Sequence, residues 1–82
     1  MKEILYFSAS WCGPCKHFKP IMENVSNTIP VRFINVDETP QLATQYGIRS
    51  VPTLIFLKNN EIIDKSIGVL TESQVKEKWN LV

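Results

Sequence analysis

From Glu3 to Ser8 the chain reads EILYFS, an almost unbroken apolar run of strand length. Such a run predicts a strand buried on both faces. The period then changes. Phe18, Ile21, Met22, Val25 and Ile29 recur at spacings of three and four, which marks one face of a helix over about residues 14–28. Pro20 falls inside that helix and should kink it, because its ring removes one backbone donor. The β-branched run VRFINV, residues 31–36, predicts a second strand. Thr39-Pro40 signals a helix start, a hydroxyl cap followed by proline at the first helical position. Gly47 supplies the left-handed stop. TLIFL, residues 53–57, is a third strand. KNNE is a tight turn, and IIDKSI returns antiparallel as a fourth strand. Thr71 opens a last helix to about Leu81, with Gln74 completing a capping box and Leu70 stapled against Val75.

The order β-α-β-α-β-β-α places the chain in the α/β class. The opening strand, helix and strand imply a right-handed parallel crossover. The closing hairpin adds antiparallel strands, so the expectation is a four-stranded mixed sheet with helices on both faces. Neither a repeat nor a linker interrupts the chain, and residues 1–82 read as one domain with a small core.

Composition narrows the function. The net charge is +1, which gives no electrostatic case for nucleic acid or an anionic membrane. No apolar run approaches the roughly 18 residues of a membrane span. The start, MKEILYFSAS, carries Glu3 where a secretory signal wants basic residues. The expectation is a cytoplasmic protein. In that compartment disulfides are usually transient and catalytic.

The chemistry concentrates in SASWCGPCKHFKP, residues 8–20, which holds both cysteines and the lone histidine. Residues three apart are neighbours in the first turn of a helix, so Cys12 and Cys15 can reach each other with Cα atoms about 5–6 Å apart. Pro14 suits that turn because it has no amide hydrogen to leave unpaired. Cys12 lies at the helix N-terminus, where orphan amides and the positive dipole end favour a thiolate. Lys16, His17 and Lys19 add positive charge, and no acid lies between Phe7 and Met22. Cys12 is therefore the expected attacker on a substrate disulfide and Cys15 the resolver of the mixed disulfide. A structural disulfide is the bland alternative. Structural zinc needs four ligands, and only His17 could join the sulfurs. Haem attachment needs histidine directly after the second cysteine, where Lys16 stands. No metal is expected.

Here a family resemblance enters. WCGPCK, Trp11 to Lys16, resembles the active site of thioredoxins. YGIRSVPTLIFLKNNE, Tyr46 to Glu61, resembles their cis-proline segment, and NVDETP and Gly68 fall at matching places. The resemblance covers about Ile4 to Leu81 and implies a minimal thioredoxin-like fold. It also implies roles. Cys12 matches the nucleophile, Cys15 the resolving cysteine and Pro52 a cis-proline facing the sulfurs. Val51 would offer its backbone to an extended substrate segment. Trp11, Gly13, Pro14, Val36, Ser50, Ile67 and Gly68 match the partner-binding surface. No cofactor is implied beyond the redox-active disulfide. The implied partners are disulfide-containing proteins and a thioredoxin reductase passing electrons from NADPH, with the chain a monomer.

Two departures stand out. The sequence begins at what is the second strand of full-size thioredoxins, giving a strand count closer to a glutaredoxin. Tyr6 and Phe33 occupy the positions of the buried aspartate and its lysine partner. The acid–base group that assists Cys15 is thus absent, and water, Cys12 or another group must serve. His17 is a candidate by chemistry, although an exposed place on the helix is its ordinary lot. The leading function is reduction of protein disulfides. A glutathione-dependent, glutaredoxin-like activity fits the size but not the Gly13-Pro14 pair. A protein-binding module with secondary redox activity is the reading from another class.

Overall fold

The computed structural model describes all 82 residues. Its elements are β1 (Lys2–Ser8), α1 (Gly13–Val25), β2 (Val31–Asn35), α2 (Pro40–Gln45), β3 (Thr53–Lys58), β4 (Glu61–Ile67) and α3 (Glu72–Leu81). The four strands form one sheet in the order β2-β1-β3-β4. β1 pairs parallel with β2 and antiparallel with β3, and β4 closes the hairpin antiparallel to β3. No helix is long and apolar enough to cross a membrane.

The apolar run of β1 is explained by its central place. Side chains alternate across a strand, and both sides of β1 meet a packed layer. Ile4 and Tyr6, with Leu54 and Phe56 of β3, face Phe18, Met22 and Val25 of α1 and Val75 of α3. Leu5 and Phe7, with Ile34, Ile55 and Leu57, face the other way, toward Leu42, Tyr46 and Ile48 in and after α2. Full burial of a large apolar side chain is worth about 1.5–3 kcal/mol. These two layers therefore hold the sheet and fix the helices to it.

The helix ends depart from the sequence reading in instructive ways. α1 stops at Val25 rather than Thr28. Beyond it Asn27 and Thr28 donate to carbonyls three residues back, those of Asn24 and Val25. The last turn tightens instead of continuing. Pro20 lies within α1 on its exposed side, so its missing donor falls where solvent reaches the freed carbonyl. Thr39 stands at the N-cap of α2 with Pro40 after it, as expected, but its side chain makes no capping bond. Its hydroxyl donates to the carbonyl of Asn35 at 3.2 Å, closing the turn after β2 instead. At α3 the expected box is complete: Gln74 N–H donates to Thr71 Oγ1 at 3.1 Å, and Thr71 N–H to Gln74 Oε1 at 3.0 Å. Leu70 packs on the cluster that contains Val75. In the KNNE turn Asn59 and Asn60 take φ of 54° and 68°, the two left-handed positions of a tight hairpin turn that asparagine tolerates.

Candidate active site

The cysteines sit where β1 hands over to α1. Cys12 is the N-cap residue, extended at φ −86° and ψ 111°. Cys15 lies in the first turn. The two form a disulfide with Cα atoms 5.3 Å apart, inside the reach that the helical turn predicts. The amide hydrogen of Cys15 donates to Cys12 Sγ at 3.2 Å. A side-chain acceptor at an N-cap is a familiar solution to the orphan donors of a helix start. Here the acceptor is sulfur, so the donor that caps the helix also favours negative charge on Cys12 once the disulfide opens.

Long-range packing completes the surroundings. The Val51–Pro52 peptide bond is cis. It brings the Val51 carbonyl oxygen to 3.6 Å from Cys12 Sγ. Thr53 Oγ1 donates to the Ser50 carbonyl at 2.7 Å, which pins the loop from the strand side. Gly68 N–H donates to the Pro52 carbonyl at 2.9 Å, and Gly68 takes φ 96°, a backbone state that glycine allows without cost. Ile67, opposite Thr53 in the β3–β4 ladder, is left 64% exposed. Both cysteines are 4% exposed and pack with Ala9 against Val36 and Val51.

Trp11 stands out from this ring at 68% exposure. Its indole N–H donates to Asp37 Oδ2 at 2.8 Å, so a large apolar face is held beside the sulfurs instead of swinging free. Asp37 is itself set by its own N–H, which donates to Asn35 Oδ1 at 2.8 Å. A shallow groove of about 210 Å³ runs from Trp11 past Val36 and Val51 to Ala43 and Ile48, with Ser50 at its edge.

The structure packs Val36 and Val51 on the cysteines and lines one groove with Trp11, Val36, Ser50 and Val51, while Pro52 is buried behind Val51 with its carbonyl tied to Gly68. Gly13 and Pro14 are exposed in the first turn. His17 is exposed on α1, with Lys16 and Lys19. Three residues had no role in the sequence reading. Asp37 orients Trp11, Ala43 and Ile48 wall the groove, and none carries a local signal. The parallel pairing of β1 and β2 could have pointed to Asp37, because ligands of α/β sheets gather where parallel strands end.

Tyr6 lies beneath the disulfide at 1% exposure. Its hydroxyl donates to the Cys15 carbonyl at 3.2 Å. Burial pushes the phenol above its usual range, partly offset by the Ser8 hydroxyl. Its ring meets Phe18 and Phe33 edge-on, at centroid distances of 5.5 and 5.6 Å. Phe33 is 42% exposed, because β2 is an edge strand.

The sequence model of the thioredoxin family matches residues 2–80. The chain belongs to the thioredoxin family. It is 40% identical over 76 residues to a thioredoxin of Chlorobaculum thiosulfatiphilum, a match covering 88% of this chain and 70% of that protein. With a thioredoxin of Oryza sativa subsp. japonica it shares 48% identity over 68 residues, 79% of this chain and 50% of the relative. Among solved structures, a mutant thioredoxin from Halobacterium salinarum NRC-1 superposes with a TM-score of 0.92 at 33% identity, covering 98% of this chain and 73% of that one. The match extends through both layers of the fold as well as the cysteine loop. With its Cys12–Cys15 disulfide, this member of the family is a thiol–disulfide oxidoreductase.

Proposed function

We propose that this protein reduces disulfides of other proteins, with Cys12 as nucleophile and Cys15 as resolving thiol. The observation that carries the assignment is the Cys15 amide donating to Cys12 Sγ at the helix N-cap. It makes Cys12 the sulfur that the fold stabilises as an anion. The Cys12 thiolate attacks one sulfur of the substrate. A Cys12–substrate disulfide forms and the other substrate sulfur leaves as a thiolate, which takes up a proton. The Cys15 thiolate then attacks Cys12 Sγ, the Cys12–Cys15 disulfide forms and the reduced substrate departs. An extended substrate segment lies along the groove, its backbone against Val51 and an apolar side chain against Trp11. The returning electrons come from NADPH through a thioredoxin reductase, and the protein works as a monomer in the reducing cytoplasm.

Cys15→Ser should keep the attack and lose the release. Incubated with oxidised insulin, the variant should accumulate a covalent adduct seen by mass spectrometry and removed by dithiothreitol. An adduct-free protein would sink the assignment. Recycling with NADPH and a thioredoxin reductase, compared with glutathione and glutathione reductase, identifies the donor. Faster turnover with glutathione would overturn the reductase reading. Trp11→Ala should raise KM for insulin about tenfold, the loss of an exposed aromatic anchor that a bound partner covers, and leave the rate with a small aromatic disulfide within about twofold. Equal losses on both substrates would mean that Trp11 supports the thiol itself, not the partner.

A further inference from the structure

Cys15 poses a problem that the roles above leave open. It must ionise to resolve the mixed disulfide, yet it is 4% exposed. A buried thiol ionises reluctantly unless hydrogen-bond donors reach its sulfur and a path exists for the proton. The structure opens one side of Cys15. An open cavity of about 450 Å³ lies against it, with Tyr6, Ser8 and Asn35 among its lining residues. That volume admits several water molecules, and these polar groups can anchor them.

We infer that the Tyr6 and Ser8 hydroxyls seat the water that receives the Cys15 proton and then solvates the Cys15 thiolate. Tyr6 spends its one hydroxyl hydrogen on the Cys15 carbonyl. The Ser8 hydroxyl lies within hydrogen-bond reach of the Tyr6 oxygen, and the two hydroxyl oxygens together keep lone pairs to spare, so a water donating one hydrogen to either can turn the other toward Cys15 Sγ. The phenol takes no proton itself. The balance is simple: the Cys15 thiol proton passes to cavity water and on to solvent, and the thiolate forms the new S–S bond. The bond from Cys12 to the substrate breaks, and the departing thiolate is protonated from solvent.

The charged groups facing the cavity are few. Lys16 and Lys19 of α1 and Glu38, from the turn after β2, line it. All three are exposed, so they modulate the field at the mouth more than at the sulfur. From β1 the titratable group is Tyr6, and Phe18 and Phe33 complete its surroundings with nothing that ionises. Tyr6 and Ser8 are thus positioning residues for Cys15.

The inference rests on Cys15 being the resolving thiol, and the test separates the two. Reduced protein is mixed with Ellman's reagent in a stopped-flow instrument, over a range of pH. Attack by Cys12 gives a first phase that scales with reagent concentration, and attack by Cys15 gives a second that does not. Loss of the second phase in Cys15→Ser establishes the resolving role, and its survival there would overturn that role whatever Tyr6 does. Tyr6→Phe keeps the ring and removes the hydroxyl. Its first phase should stay within about twofold of the parent. Its second should slow about tenfold at neutral pH, with the midpoint of its pH profile about one unit higher and both proteins converging at high pH. Ser8→Ala should shift the midpoint in the same direction by less. An unchanged midpoint in both variants overturns the inference. So does uniform slowing at every pH, which would mean that Tyr6 acts only through the Cys15 carbonyl, and so does equal slowing of both phases.

Discussion

Cys12→Ser should abolish insulin reduction, lowering the rate at least about a thousandfold. The hydroxyl that replaces the thiol is not ionised at neutral pH, and no second nucleophile stands at the helix N-cap. Cys15 sits one turn further along α1, where it is buried and lines the cavity. Losses of this size are characteristic of a covalent catalyst whose nucleophile is removed. Insulin turbidity with dithiothreitol as reductant is the measurement, corrected for the uncatalysed rate. Stability, followed by chemical denaturation of both reduced proteins, should change by less than about 1 kcal/mol, since serine also accepts at an N-cap. Retention of even a tenth of the parent activity would remove Cys12 from the role of attacker.

Phe18→Ala should cost about 3–5 kcal/mol of stability, as expected for a fully buried phenylalanine truncated in a packed core. Phe18 is 0% exposed and belongs to the layer that joins α1 to β1 and β3. It also meets the Tyr6 ring edge-on at 5.5 Å. A domain of this size has about 4–12 kcal/mol in all, so the loss takes a large part of it. The thermal midpoint should fall by roughly 15–30 °C. Because Phe18 sits one turn beyond Cys15, the cavity also loosens the start of α1. Insulin reduction at a temperature where the variant is still folded should therefore fall as well, by a few-fold. A loss under 1 kcal/mol would mean that the α1 layer closes over the gap, and that this packing does not fix the position of the cysteines.

Much of this protein could be read from its sequence. The apolar run of residues 4–7, the spacing of Phe18, Met22 and Val25, and the Thr71–Gln74 box each report a local condition: burial on two faces, a helix stripe, a capped end. Such conditions are written in residues close together, and period and propensity reveal them. The Cys12–Cys15 pair belongs to the same class, because one helical turn brings the sulfurs together. Thr39 shows the limit. Its hydroxyl can serve either a helix start or the turn behind it, and the fold chose the carbonyl of Asn35.

The environment of the sulfurs was decided elsewhere. The Val51 carbonyl reaches Cys12 across 39 residues of chain, and Asp37 reaches Trp11 across 26. Counting acids near the cysteines in sequence gives none between Phe7 and Met22, yet the parallel pairing of β1 with β2 delivers Asp37 and Glu38 to the same end of the sheet. By local pattern Tyr6 is one more apolar residue in a strand, and the family resemblance marks it only as a missing aspartate; its contact appears once β1 lies beneath α1 and its hydroxyl meets the Cys15 carbonyl. Local pattern determined which elements form and where the reactive pair sits. Only tertiary packing determined which carbonyls, carboxylates and hydroxyls surround that pair, because such contacts follow from the order of strands in the sheet and leave no period in the chain.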